Sequence, residues 1–229
     1  MNIIESVQHV QERIADACRR VGRKPDSVQL MAVSKTQPLS SIESAWNAGI
    51  RLFGENRVQE AAEKFTIFKE QHPEIKLHLI GALQRNKTST ALKLFDCVQS
   101  VDREPLIDKL GKTYASGTHP LPILLEFHTG EDSKIGFPTL DSLCRAAECA
   151  LRYPSLVVRG LMTIAPYTDD KAQIRASFRS LVAARSSLTA RFPACDWSCL
   201  SMGMSNDFEI AIEEGSSLVR VGTAIFGSR

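Results

Sequence analysis

Val28-Gln29-Leu30-Met31-Ala32-Val33-Ser34-Lys35-Thr36 is the stretch that decides the fold of this chain. Five apolar residues and one glutamine run up to Ser34-Lys35, and Pro38 follows as a turn signal. Such a run reads as a strand buried on both faces, the kind found in a parallel sheet covered by helices. A lysine at its end is unexpected, because an ammonium group is rarely buried without a partner. Desolvation favours the neutral amine, which is a nucleophile toward carbonyl carbon. The plain alternative is a lysine that reaches from the strand end into solvent. Neighbouring sequence favours the first.

Upstream, Ile3, Val7, Val10, Ile14, Ala17 and Val21 recur at spacings of three and four. They form the apolar stripe of an amphipathic helix over 3–21 that ends at Gly22, with Pro25 beyond. Downstream, the pattern predicts strands at 28–34, 51–54, 77–81, 97–101, 122–127, 156–163, 198–202 and 218–221. Helical patterns at 39–48, 56–71, 86–95, 103–115, 138–151, 170–191 and 206–214 separate them. Eight strands in this βαβ rhythm close into a barrel. The expected fold is α/β: a single (β/α)8 TIM barrel spanning 1–229 with an extra N-terminal helix. A doubly wound open sheet shares the alternation, but no Gly-x-Gly-x-x-Gly follows the first strand, which counts against a dinucleotide fold.

Composition removes several function classes. Twenty-eight basic and 26 acidic residues are interspersed, so there is no nucleic-acid footprint. No apolar run approaches the ~20 residues of a membrane span, and the N-terminus lacks a signal peptide's basic and apolar regions. Cys18, Cys97, Cys144, Cys149, Cys195 and Cys199 form no Cys-x-x-Cys pair and no zinc spacing with histidine. Cys18, Cys144 and Cys149 fall on apolar helix positions. The expectation is a cytoplasmic protein with reduced, buried thiols.

In a barrel, function sits at the C-terminal strand ends. Lys35 falls there on strand one, and Glu55 and Asn56 on strand two. Ile80-Gly81 with Gln84, Asn86 and Lys87 follows strand three, Asp102-Arg103 strand four and Met162-Thr163 strand six. Ser201-Met202-Gly203-Met204-Ser205-Asn206 ends strand seven, and Arg220-Val221-Gly222-Thr223 ends strand eight. All are expected to face one cavity. The loops after strands seven and eight commonly hold phosphate in barrels. Ser201, Gly203 and Ser205 precede a helix for which Asn206 and Glu209 have capping-box spacing, and a helix start attracts anions. Gly222 and Thr223 add a close-approach backbone and a hydroxyl, although such clusters are often only turn residues. A strand-one lysine and this phosphate side together suit pyridoxal 5'-phosphate (PLP), with the lysine forming the aldimine. Arg220, always protonated, would donate to the pyridine nitrogen and weaken the ring as an electron sink.

These residues resemble the pyridoxal phosphate homeostasis protein family, relatives of the barrel domain of alanine racemase (fold type III). The resemblance runs nearly end to end. It is carried by Ala32-Val33-Ser34-Lys35-Thr36, Phe53-Gly54-Glu55-Asn56 with Val58-Gln59-Glu60, and His78-Leu79-Ile80-Gly81-x-Leu83-Gln84-x-Asn86-Lys87. Further on come Arg159-Gly160-Leu161-Met162-Thr163-Ile164-Ala165-Pro166, Leu200-Ser201-Met202-Gly203-Met204-Ser205-x-Asp207 and Val219-Arg220-Val221-Gly222-Thr223-Ala224-Ile225-Phe226-Gly227. The resemblance implies PLP held as an internal aldimine on Lys35, Arg220 at the pyridine nitrogen, and Ser205, Gly222 and Thr223 on the phosphate. Asn56 and Met202 would line the cofactor, and Ser201 and Gly203 complete the cofactor-binding set. Two departures stand out: Arg57 replaces a frequent Tyr, and the loop 126–134 is one residue short, with His128 where asparagine is common.

Among the remaining candidates, Glu131, Asp132 and Lys134 read as a solvated loop, His78 as a hydrogen-bonded core residue, and the arginine-rich helix over 171–191 as a solvated face. The function implied is a non-catalytic PLP carrier in cofactor homeostasis, acting as a cytoplasmic monomer with apo PLP enzymes as recipients. The alternative is a PLP-dependent amino-acid racemase. Fold type III racemases take an opposing tyrosine from a C-terminal β-domain, and this chain stops at Arg229. Of its tyrosines, Tyr114 and Tyr153 fall on helical segments and only Tyr167 on a top loop. A Schiff-base aldolase is a third class, disfavoured because its lysine sits on a middle strand.

Overall fold

The computed structural model describes residues 2–115, 117, 119–131 and 135–227. Eight strands, β1 (Gln29–Val33), β2 (Leu52–Glu55), β3 (Lys76–Leu79), β4 (Cys97–Val101), β5 (Leu121–Glu126), β6 (Leu156–Met162), β7 (Cys199–Ser201) and β8 (Leu218–Val221), close into a parallel barrel in sequence order. Closure is direct: Gln29, Leu30, Met31 and Ala32 of β1 face Leu218, Val219, Arg220 and Val221 of β8. Around them run α1 (Ile3–Arg20), α2 (Leu39–Asn47), α3 (Val58–Gln71), α4 (Thr88–Leu94), α5 (Glu104–Thr113), α6 (Leu140–Leu151), α7 (Lys171–Arg191), α8 (Phe208–Glu213) and the four-residue α9 (Thr223–Phe226). The (β/α)8 barrel expected from the sequence is present. No described helix is long and apolar enough to cross a membrane.

Strand alternation builds two cores. Phe53, Leu77, Val98, Leu161 and Val219 belong to the large core shared with the helices. Cys97, Leu124 and Met162 form a small separate cluster with Ile164 and Cys199. All six thiols are free. A register shift between Val98 and Val101, where β4 pairs with β5, keeps both valines in the large core although they are three positions apart.

The N-terminal helix starts with a capping box: Asn2 accepts from the Glu5 N–H, and the Glu5 carboxylate accepts from the Asn2 N–H. Its stripe Val7, Val10, Ile14 and Ala17 is buried, and α1 packs beside α2, α8 and α9. Val21 does not join the stripe. The helix stops at Arg20, and Val21 turns out to 41% exposure while its N–H caps the last carbonyls.

Ion pairs then fix α8. Arg13 and Arg20 of α1 bind Glu209 and Glu213, while Arg175 and Arg179 of α7 bind Glu213 and Glu214. The α7 arginines are therefore not all a solvated face, since Arg175 is committed to two carboxylates. Glu131 also departs from the solvated-loop expectation, with a side chain only 12% exposed. Asp132 and Lys134 lie outside the described residues.

Candidate functional site

A cavity of about 590 Å3 opens at the C-terminal strand ends. Lys35, Asn56, Ser205, Arg220, Gly222 and Thr223 all line it, so the structure brings together six of the nine candidate residues from both ends of the chain. Ser201, Met202 and Gly203 do not line it. Ser201 and Met202 are fully buried behind the wall, and Gly203 makes the turn toward α8. At φ +96° Gly203 has a conformation unfavourable to side chains, and a Cβ there would sit 2.9 Å from the Phe208 Cα. Gln84, Asn86, Lys87, Asp102 and Arg103 lie apart from this cavity. Asp102 and Arg103 line a separate shallow depression with Phe137 and Arg145.

Lys35 is half-buried, and its amine has no hydrogen-bond or ion-pair partner among the described residues. Both of its neighbours, by contrast, are tied down. Ser34 donates its hydroxyl to Glu55 Oε1 at 2.7 Å. Lys64 on α3 donates to the Ser34 carbonyl at 2.9 Å, to Glu55 Oε1 at 2.7 Å and to Glu60 Oε1 at 2.8 Å. Glu60 also accepts from the Thr36 N–H. Thr36 has φ +64°, the only positive φ at a non-glycine position among the described residues, a conformation that costs roughly 1–2 kcal/mol. The Glu60 bond holds that kink, which turns the chain off β1 directly after Lys35. Burial pushes the Glu55 carboxyl up, against the Lys64 and Ser34 hydrogen bonds that pull it down.

Asn56 is placed by a close approach. A Cβ on Gly81 would sit 2.5 Å from the Asn56 carbonyl oxygen, so only glycine lets the β3 end press against it. Across the cavity, the Gly222 and Ala224 N–H groups converge on Ser205 Oγ at 3.2 and 3.3 Å. These N–H groups, with the hydroxyls of Ser205 and Thr223, form a neutral donor cradle. The helix start expected at Asn206 is different. The residue at its cap position is Asp207, whose carboxylate accepts from the Met204 N–H at 2.5 Å, while Asn206 is exposed and Glu209 pairs with Arg13. No Asn206–Glu209 capping box forms, and a carboxylate at that position opposes an anion.

Arg220 is buried, with Nη1 donating to the Ser201 carbonyl (2.7 Å) and hydroxyl (2.8 Å) and Nη2 to the Thr163 carbonyl (2.7 Å). Burial lowers its pKa, opposed by Asp207 and Glu126. A guanidinium remains charged under these conditions. The Nε–H and one Nη2–H have no protein partner among the described residues, on a side chain that lines the cavity.

The donor set suits PLP: a free amine, a fixed cation with spare N–H groups, and a hydroxyl and backbone cradle in a cavity ample for a single phosphorylated pyridine. Sequence reasoning missed Lys64 and Gln99, together with the β6–α7 loop from Ala165 to Asp169 that walls the cavity mouth. The only available signal for Glu60 was its place in the Val58-Gln59-Glu60 motif.

Comparison with known proteins identifies the family. Residues 6–229 match the family described as alanine racemase, N-terminal domain. A pyridoxal phosphate homeostasis protein of Vibrio cholerae serotype O1 is 42% identical over 231 residues, covering 100% of this chain and 97% of that one. The structure of PipY from Synechococcus elongatus PCC7942 with PLP bound superposes with a TM-score of 0.82 at 34% identity, over 93% of this chain and 100% of PipY. Alanine racemase from Bacillus anthracis shares the fold alone, at 15% identity and TM-score 0.71, with this chain covering 56% of it.

Proposed function

The chain belongs to the pyridoxal phosphate homeostasis protein family, with the alanine racemase N-terminal domain fold, and from that membership we propose that it binds and carries PLP rather than turning over a substrate with it. The observation that carries the reading is the single cavity that unites the Lys35 amine with Arg220 and the Ser205–Thr223 cradle.

When bound, PLP supplies an aldehyde carbon that condenses with an amine, with loss of water, and a ring nitrogen that can take up a proton. Lys35 provides the amine, presented between two anchored neighbours. Ser205, Gly222 and Thr223 hold the phosphate through hydroxyl and backbone N–H groups. Arg220, an obligate donor that lines the cavity, would donate to the ring nitrogen and disfavour its protonation.

The same residues argue against a racemase. Tyr167 is the described tyrosine that lines the cavity, and it is 92% exposed on the rim. Tyr153 is committed to Asp108 at 2.8 Å, and Tyr114 caps α5 away from the cavity. No described tyrosine is therefore held inside the cavity to serve as the opposing base of a racemase. In this reading the protein is a cytoplasmic monomer confined to one domain, and apo PLP enzymes receive its cofactor.

The absorption spectrum of the purified protein tests the proposal. A visible band that borohydride removes, leaving a covalent adduct on the Lys35 peptide, is the expected result. A colourless protein that takes up no added PLP overturns it.

A further inference from the structure

A line of polar side chains crosses the barrel interior behind the cavity, from β8 to β3. Arg220 donates to Ser201 Oγ at 2.8 Å, Ser201 Oγ donates to Gln99 Oε1 at 2.7 Å, and Gln99 Nε2 lies 2.8 Å from His78 Nδ1. Gln99 and Ser201 are fully buried. Of the four, only Arg220 lines the cavity.

Donor counting gives the line a direction. The guanidinium can only donate, so Ser201 accepts from it and has one hydroxyl proton to give. That proton goes to Gln99 Oε1, which leaves the Gln99 NH2 facing His78. Nδ1 of His78 must then accept, and the ring carries its proton on Nε2. Turning the Gln99 amide over would leave the Ser201 hydroxyl proton without an acceptor among the described residues, a costly state in a buried site. Burial pushes His78 down to about 4, with Asp96 opposing and Lys69 and Lys76 adding to the fall, so the ring stays neutral as the direction requires.

We propose that Gln99 and His78 are positioning residues for Arg220: the one-way chain Arg220–Ser201–Gln99–His78 fixes the guanidinium edge that holds the ring nitrogen of bound PLP unprotonated. The inference rests on the PLP reading for its cofactor half. The alignment of the chain is a property of the protein alone. Removing Gln99 would free the Ser201 hydroxyl to rotate, and Arg220 would lose the fixed orientation of one of its three acceptors, keeping the Ser201 and Thr163 carbonyls.

Nitrogen NMR of the histidine-labelled protein without cofactor reads the His78 ring and needs no substitution. A neutral ring with an unprotonated, hydrogen-bonded Nδ1 is expected, and a proton on Nδ1 at neutral pH overturns the direction. In the PLP-loaded protein, Gln99→Leu should move the ring-nitrogen resonance toward its protonated position and weaken PLP about ten-fold. In a Ser201→Ala background the same substitution should add nothing, because Gln99 acts through Ser201. Full additivity, or an unmoved resonance in folded Gln99→Leu, overturns the proposal. If Gln99→Leu does not fold, Gln99→Glu serves: it keeps an acceptor for Ser201 and must raise the pH at which His78 protonates, and an unchanged His78 titration overturns the contact. A wild-type protein that takes up no PLP defeats the carrier reading instead, and the His78 tautomer still decides the chain.

Discussion

The ammonium of Lys64 sits 2.9 Å from the carbonyl oxygen of Ser34, the residue immediately before Lys35. A cation on α3 thereby fixes the backbone that presents Lys35. It also neutralises Glu55, whose side chain is fully buried. Lys64→Met should cost roughly 3–5 kcal/mol, because it leaves a buried carboxylate without its partner. That corresponds to a fall on the order of 10 °C in Tm. The deficit should shrink as pH falls, since protonated Glu55 needs no cation. Thermal melts across pH check this, and a deficit independent of pH would place the effect elsewhere.

Lys35→Ala should remain folded and lose the reducible visible band. The side chain lines an open cavity and makes no bond to the described residues whose loss would strain the fold. Spectra of both proteins after PLP addition and gel filtration decide it. A band of equal strength in the variant would assign the covalent site to another lysine.

Thr223→Val and Ser205→Ala should each weaken PLP about ten-fold or more, the worth of one hydrogen bond of roughly 1.5–3 kcal/mol to a charged oxygen. The Ser205 variant should show the larger loss, because its hydroxyl also gathers the Gly222 and Ala224 N–H groups. Fluorescence titration with PLP gives both constants. Unchanged affinity in both variants moves the phosphate away from β8.

Burial pushes the Glu126 carboxyl up to about 7, with Asp102 and Glu131 adding to the rise and Arg220 opposing it. An unfolded glutamate titrates near about 4.3. Between those values the folded chain binds more protons than the unfolded one, so this residue makes stability fall as pH rises through the window. Glu126→Gln should match the wild type at the acid end and exceed it by about 2–3 kcal/mol above the folded pKa. Urea titrations at several pH values measure the difference. An advantage that does not grow with pH rules the assignment out.

Solvent deuterium exchange at the α-carbon of L-amino acids should be negligible in the PLP-loaded protein. No described tyrosine is held inside the cavity as an opposing base, and such a base is typically worth ~10²–10⁴ in rate. Exchange at ordinary enzyme rates, about 1–10³ per second, and lost in Lys35→Ala, would make the protein an enzyme.

The eight strands were readable because each is a short apolar run bounded by turn residues, and that signal is local. Lys35 and Arg220 were readable for the same reason, as charges at the end of apolar strands. His78 was readable as a hydrogen-bonded core residue, and it meets Gln99. Lys64 and Gln99 bond to partners on other elements, and no spacing in the sequence announces a partner on another strand. The Asn206–Glu209 capping box failed because Arg13, distant in sequence, captures Glu209. Val21 fitted the helical period, but the backbone leaves the helix one residue earlier. Ser201 and Met202 sit at the right strand end, yet the strand and the turn at Gly203 bury them behind the wall.

The pairing of β1 with β8 has a consequence for synthesis. Lys35 leaves the ribosome well before Arg220, Gly222 and Thr223, and the register that joins Met31 to Arg220 forms only when β8 docks. A nascent chain therefore carries the amine long before it has the cradle. In the proposed function, cofactor captured on Lys35 before β8 docks would lack its phosphate contacts and dissociate, so stable loading would report that the barrel has closed.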